Sequence, residues 1–286
     1  MTNVLKDIRK IYSGLNAEEI RQSAHRDLNV GIMAASTQAR RDMEEFFAPA
    51  WMPQEERLAA LRSVHPVDGI SPERYDFVLV QPGLPVPANG FVYMVSDKHS
   101  LAGSIAAAHH PLELAMARRF PAFRQPVASR LTQRVARENA LFSLATALPN
   151  IVPSVLDLPW AVGEFATDTA FLTMNQIRLA LLMAAAHGQT VGYAEQKAQL
   201  GMIVASAFGW RALARELVGK IPLGGGLIPK AAIAFAGTYV VGLGLEKLNR
   251  TGTGLSRREQ KDAYADAFAK GREVAKELAP ASFRKD

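Results

Sequence analysis

Residues 28–47, LNVGIMAASTQARRDMEEFF, constrain the fold more than any other stretch. Asn29, Val30, Gly31, Ile32 and Met33 read as a short buried strand. Small and polar residues follow, then a helix with Met43, Phe46 and Phe47 at helical spacing. This is the strand–loop–helix order of a nucleotide-binding α/β layer. Its neighbourhood agrees. Val4, Leu5, Ile8, Ile11, Tyr12 and Leu15 predict an amphipathic helix over residues 3–13, stopped near Gly14. Asn16 with Glu19 resembles a helix N-cap and its partner. YDFVLVQPG (75–83) predicts a strand ended by Pro-Gly, and GFVYMVSDKHS (90–100) a second one. Helix is expected at 101–119, interrupted by Pro111.

Past Pro126 no strand pattern is found. Ala, Gly and aliphatic residues dominate through Leu245. The mixed-charge segment 256–278 opens with Ser256 and Glu259 as a capping box. The fold class expected is therefore mixed: a small α/β part over 1–125, a hydrophobic helical bundle over 126–252, and a C-terminal helix within 253–286. The 286 residues, 49% hydrophobic and 21% charged, suffice for a large core. The absence of cysteine excludes disulfides, zinc–thiolate sites and cysteine nucleophiles, and fits a reducing compartment. The N-terminal stretch has charges spread through it and does not read as a signal peptide.

A net charge of +6 permits an anionic partner without choosing one. Arg118, Arg119, Arg124, Arg130, Arg134 and Arg137 form a basic stretch with no acid between Glu113 and Glu138. Arg130, Arg134 and Arg137 share one helical face just before the apolar region, and are the expected contact with anionic lipid. The opposing reading is a solvated face with carboxylate partners inside the chain. Nucleic acid is disfavoured, because no basic patch is interleaved with aromatic residues.

No segment is a clean membrane span by sequence. The uncharged helical part 231–245 would cover roughly 22 Å, against a hydrocarbon core of about 30 Å. The run 139–156 is broken by Pro149 and Pro153, and the run 179–194 by Gly188. Short apolar helices of this kind fit a buried bundle or a hairpin dipping into one leaflet. Ala234, Thr238 and Gly242 recur every four residues, a small-residue stripe that admits a neighbouring helix.

Three pieces together, ALPNIVPSVLDLP (147–159), MNQIRLALLMAAAHG (174–188) and KIPLGGGLIPKAAIAFAGTYVVGLGLE (220–246), make the region 139–252 resemble the YcjF-like, GTPase-associated helical domain of bacteria. That domain commonly follows a small GTPase domain related to Era. The resemblance gives the strand–loop–helix a frame, the phosphate-binding pattern G-x-x-x-x-G-K-[ST]. Ala34 and Ala39 stand for its glycines, Arg40 for the Lys and Arg41 for the Ser/Thr. VSDKHSL (95–101) aligns with the guanine-reading pattern V-x-N-K-x-D-L: Lys98 matches, Asp97 stands for the Asn, and Ser100 for the Asp. Residues 47–75 leave little room for switch strands, and the Asp-x-x-Gly metal motif has no counterpart. Without glycines, backbone amides approach phosphates less closely, and Arg41 removes the hydroxyl that would bind magnesium. The N-terminal part thus reads as a reduced, degenerate GTPase-like fold.

Other candidates have plainer roles. His109-His110-Pro111 reads as a turn, and Asp157 and the glycines 224–226 as a cap and a tight turn. Asn175 and Gln176 are expected to hydrogen-bond between helices. No catalytic residue, metal ligand or cofactor is expected, since no known enzyme signature appears. The function expected is a non-catalytic, membrane-proximal adaptor or scaffold. Its expected partners are a true GTPase, an anionic membrane surface and further copies of the chain. Its expected place is the cytoplasm, peripheral to or partly inserted in the cytoplasmic membrane. The alternatives are an atypical but active GTP-binding and hydrolysing protein, and a soluble oligomeric scaffold.

Overall fold

A computed structural model describes residues 17–67, 71–146, 168–192, 194–197, 199–201 and 227–279. The helix expected at 3–13, Asp157, the glycines 224–226 and the whole proline-rich piece 147–159 lie outside them. The chain is mixed α+β, mostly helical, with one small parallel four-stranded sheet. It divides into two compact units. One is made of Ala17–Ala128 and Ala184–Val191, and the other of the described residues in Ser129–Met183 and Gly192–Asp286.

The first, α/β, unit has strands β1 (Val30–Met33), β2 (Val64–Pro66), β3 (Phe77–Val80) and β4 (Gly90–Val92) in the order β2-β1-β3-β4. All pairings are parallel; Val30 faces Phe77 across β1–β3, and Val78 faces Gly90 across β3–β4. The continuous apolar run of β3 is buried at every position, as expected of a parallel strand covered on both faces. Gly31 is demanded by close approach: a Cβ there would stand 2.6 Å from Val67 Cγ2 and 3.1 Å from Val78 Cγ2. Around the sheet come α1 (Ala17–Ala24), α2 (Thr37–Phe47), α3 (Gln54–Leu61), α4 (Lys98–Ala108) and α5 (Glu113–Arg119). α2 buries Met43, Phe46 and Phe47, which join Phe77, Phe120 and Phe123 in an aromatic core.

Two local expectations are corrected, and the interruption expected at Pro111 is found. The strand expected over 90–100 stops at Val92, and Val95–Asp97 is a 3₁₀ turn leading into α4 at Lys98. The helix at 101–119 is two helices separated by a 3₁₀ turn at His110–Leu112, where Pro111 lacks the N–H that would continue the first. The segment 47–75 holds α3 and β2, a strand the sequence does not announce.

α6 (Pro121–Ala145) runs through residue 126, and the division between the units falls within it, at Ala128 and Ser129. The helical unit contains the rest of α6, α7 (Asp168–Ala186) as far as Met183, α8 (Leu227–Thr251) and α9 (Arg257–Leu278). α9 lies within 253–286, set apart by its composition, yet it packs along α8 and brings Tyr264, Ala267, Val274 and Ala275 into shared clusters with Ala231, Phe235, Ala236 and Val240. Its amphipathic pattern requires a partner for that apolar face, and α8 supplies it. By length and composition α8 is the one described helix able to cross a membrane, and more than half of its apolar stretch is buried.

Candidate functional site

The sheet order places β1 beside β3 although β2 lies between them in the chain. In open parallel sheets the crevice at the carboxyl ends of such a pair is the ordinary place for a ligand. Here main-chain amides at that edge bond to the chain's own side chains. Only Ala34, Ala35 and Ser36 separate β1 from α2. Ser36 is the N-cap of α2: its Oγ accepts the Ala39 N–H at 3.1 Å, and its carbonyl accepts the Arg40 N–H at 3.0 Å. Gln81, just past β3, accepts the Ala35 N–H on Oε1 at 2.8 Å and donates its own N–H to the Met33 carbonyl at 2.8 Å.

Helix therefore begins at Thr37, so Ala39, Arg40 and Arg41 stand inside α2 and not in a loop wrapped around phosphate. The Arg40 guanidinium donates to Glu44 at 2.7 Å, one turn along the same helix, while Arg41 is exposed. Two of the backbone amides a phosphate would need are already hydrogen-bonded to Ser36 and Gln81.

The second group of expected nucleotide residues opens α4. Asp97 is its N-cap but makes no side-chain capping bond; Lys98 is its first residue, and Ser100 is exposed. Lys98 lines an open cavity of about 380 Å³ with Glu45, Phe46, Pro49, Trp51, Pro121 and Ala122. The lining includes none of Ala34, Ala39, Arg40 or Arg41, so the two halves of the nucleotide frame do not meet in this cavity. Trp51, one of the lining residues, is 70% exposed. Glu45 accepts the Ala50 N–H at 2.7 Å and lies 3.6 Å from Arg57. The His109 ring rests against Phe77 and Phe91, and burial lowers its pKa; His110 lies 3.6 Å from buried Glu113.

In the helical unit, Arg137 makes a two-pronged ion pair with Glu277, at 2.9 and 3.0 Å, and the bond to that carboxylate raises its pKa. Arg130 and Arg134 are half-buried and have interaction partners. The intramolecular reading of this basic face thus describes Arg137. Neighbouring Glu138 pairs with Arg178 at 2.8 Å.

The stripe on α8 is buried at all three positions. A Cβ on Gly242 would come within 2.9 Å of Thr132 Cβ on α6, and closer still to its Oγ1 and Cγ2, so glycine is needed for that approach. Thr238 belongs to a buried polar thread. Asn175 Nδ2 donates to Asn139 Oδ1 at 2.7 Å, Asn139 Nδ2 donates to Thr238 Oγ1 at 2.7 Å, and Thr238 donates to the Ala234 carbonyl at 2.9 Å. Gln176 Nε2 reaches Thr238 Oγ1 at 3.4 Å. Asn175 and Gln176 do link helices, as expected.

Sequence reasoning missed Ser36, Gln81, Trp51, Asn139 and Thr132. Ser36 carried a readable signal, a capping residue directly before a helix. The others act through residues at least 36 positions away or line a cavity built from three chain segments. Comparison of the chain with family models, with curated proteins and with solved structures finds no match.

Proposed function

We propose that this protein is a non-catalytic adaptor of the YcjF-like, GTPase-associated kind, working next to the cytoplasmic membrane through its helical unit. Its α/β unit is read as a reduced GTPase-like fold that has given up nucleotide hydrolysis. The observation carrying this reading is the β1–α2 loop, where Ser36 and Gln81 hold the amides of Ala39 and Ala35. A phosphate would have to displace both bonds, and Arg41 offers no hydroxyl for magnesium. The partners proposed are a catalytically complete GTPase and further copies of this chain, with an anionic membrane surface nearby. The apolar length of α8 supports the membrane part of the proposal.

The test is titration of the purified chain with GTP, GDP and ATP in magnesium, with phosphate release followed in parallel. The expected outcome is no turnover above buffer. Turnover that disappears in Arg40→Ala would overturn the non-catalytic reading and leave the atypical hydrolase in its place.

A further inference from the structure

The basic stretch of the sequence is divided between the two units, and its two parts are treated differently. Arg137 faces a carboxylate, whereas the hydrogen bonds of Arg118, Arg119 and Arg124, all in the α/β unit, go to neutral acceptors. Arg118 Nη1 donates to the Gln189 carbonyl at 3.1 Å. Arg124 Nε donates to the Ala117 carbonyl at 3.4 Å, and Arg119 Nη1 to the hydroxyl of buried Ser63. The three residues flank the joint between α5 and α6. The turn after α7 comes to the same place: a Cβ on Gly188, whose φ is +81°, would lie 3.8 Å from Arg124 Nη2 and 3.9 Å from the Arg118 carbonyl.

Among the described residues no carboxylate stands within ion-pair distance of any of these guanidiniums. Glu56 acts on Arg124 only from beyond that distance. All three arginines are half-buried. Burial, and then the like charge of Arg119, lower the pKa of Arg118; burial lowers that of Arg124. Partly desolvated cations held near one another are unfavourable until an anion neutralises them. A guanidinium has five N–H donors in a planar fork, and each of these commits one to a side-chain or main-chain oxygen, which fixes its orientation and leaves donors over.

We infer that Arg118, Arg119 and Arg124 form a binding site for a phosphate group. Planar N–H forks suit its oxygens in pairs, and the carbonyls of Ala117 and Gln189 with the Ser63 hydroxyl hold the forks in place beforehand. The assignment goes beyond the adaptor reading and stands whether or not the protein hydrolyses a nucleotide. A lipid headgroup and a soluble phosphate share this chemistry.

The experiment has two arms. In the first, thermal unfolding of the full chain is followed in pyrophosphate and in chloride at matched ionic strength. Pyrophosphate is expected to raise the midpoint, because a ligand that binds only the native state stabilises it. The rise should be absent in R118Q/R124Q and kept in R130Q/R134Q. In the second arm, the same proteins are floated with vesicles of phosphatidylglycerol or of phosphatidylcholine. Flotation with phosphatidylglycerol alone, reduced at least tenfold in R118Q/R124Q, identifies a lipid headgroup as the source. A pyrophosphate effect without flotation identifies a soluble phosphate. R118K/R124K guards against misfolding: it keeps the charge but loses the fork, and should weaken binding while remaining folded. The inference is overturned if the wild-type chain responds in neither arm, if R118Q/R124Q responds like wild type, or if R130Q/R134Q loses the response instead.

Discussion

In the α/β unit Phe46, Phe47, Phe77, Phe120 and Phe123 meet ring to ring, with centroids 4.9 to 6.4 Å apart. In the helical unit Ala136, Ala140, Ala231 and Ala275 surround Phe235, and glycines lie where helices touch. Gly271 on α9 has the Ala232 carbonyl of α8 2.9 Å from where its Cβ would be. The first core concentrates its burial in a few large side chains. The second spreads it over close helix approach and threads a polar chain, Asn175–Asn139–Thr238, through the middle. The two should therefore fail in opposite ways, one when a side chain is removed and the other when one is added.

The largest effect expected is from Phe47→Ala. Phe47 is fully buried and touches four other rings, so truncation should cost about 3–5 kcal/mol. Chemical denaturation gives the size, and hydrogen exchange resolved by segment should show the lost protection in residues 30–128. A cost below 1 kcal/mol, or loss spread evenly over both units, would break the contrast.

Gly242→Leu makes the opposite change. A branched side chain driven at Thr132 should cost about 1–3 kcal/mol, with protection lost in α6 and α8. Thermal unfolding and sedimentation measure it. A variant as stable as the parent, with the same mass in solution, would show that the α6–α8 approach accepts enlargement.

The smallest effect compares two helix starts. In α9, Ser256 and Glu259 form a complete capping box; in α2, Ser36 caps a third helical residue, Ala39, that has no carboxylate to return the bond. Hydrogen bonds from Lys247 and from the Ser256 backbone and side chain hold the Glu259 pKa down at about 2. A carboxyl whose folded value is depressed stabilises the folded state above its ordinary value near 4.5, and that contribution fades as pH falls toward 2. Amide protection at the start of α9 should follow this course and be flattened in Glu259→Gln, while the start of α2 should not follow it. Identical pH courses at the two helix starts would remove the distinction.

What the sequence determined by itself is local. β1 and β3 follow from short apolar runs, the buried face of α2 from the spacing of Met43, Phe46 and Phe47, and the α9 cap from Ser256 and Glu259 three residues apart. Each depends on neighbours within about one helical turn or one strand, so the pattern is visible in the order of residues. Tertiary structure decided the rest. β2 is three residues long, largely exposed and contains Pro66, and it is a strand only because Val30–Ile32 pairs with it. Gln81 closes the β1–α2 loop from 46 residues away, and Glu277 reaches Arg137 from 140. Polar side chains at such separations have no local preference for one another. Which of them meet is set by how the apolar faces pack, so the same run of arginines yields an ion pair at Arg137 and three guanidiniums without a carboxylate partner among the described residues at Arg118, Arg119 and Arg124.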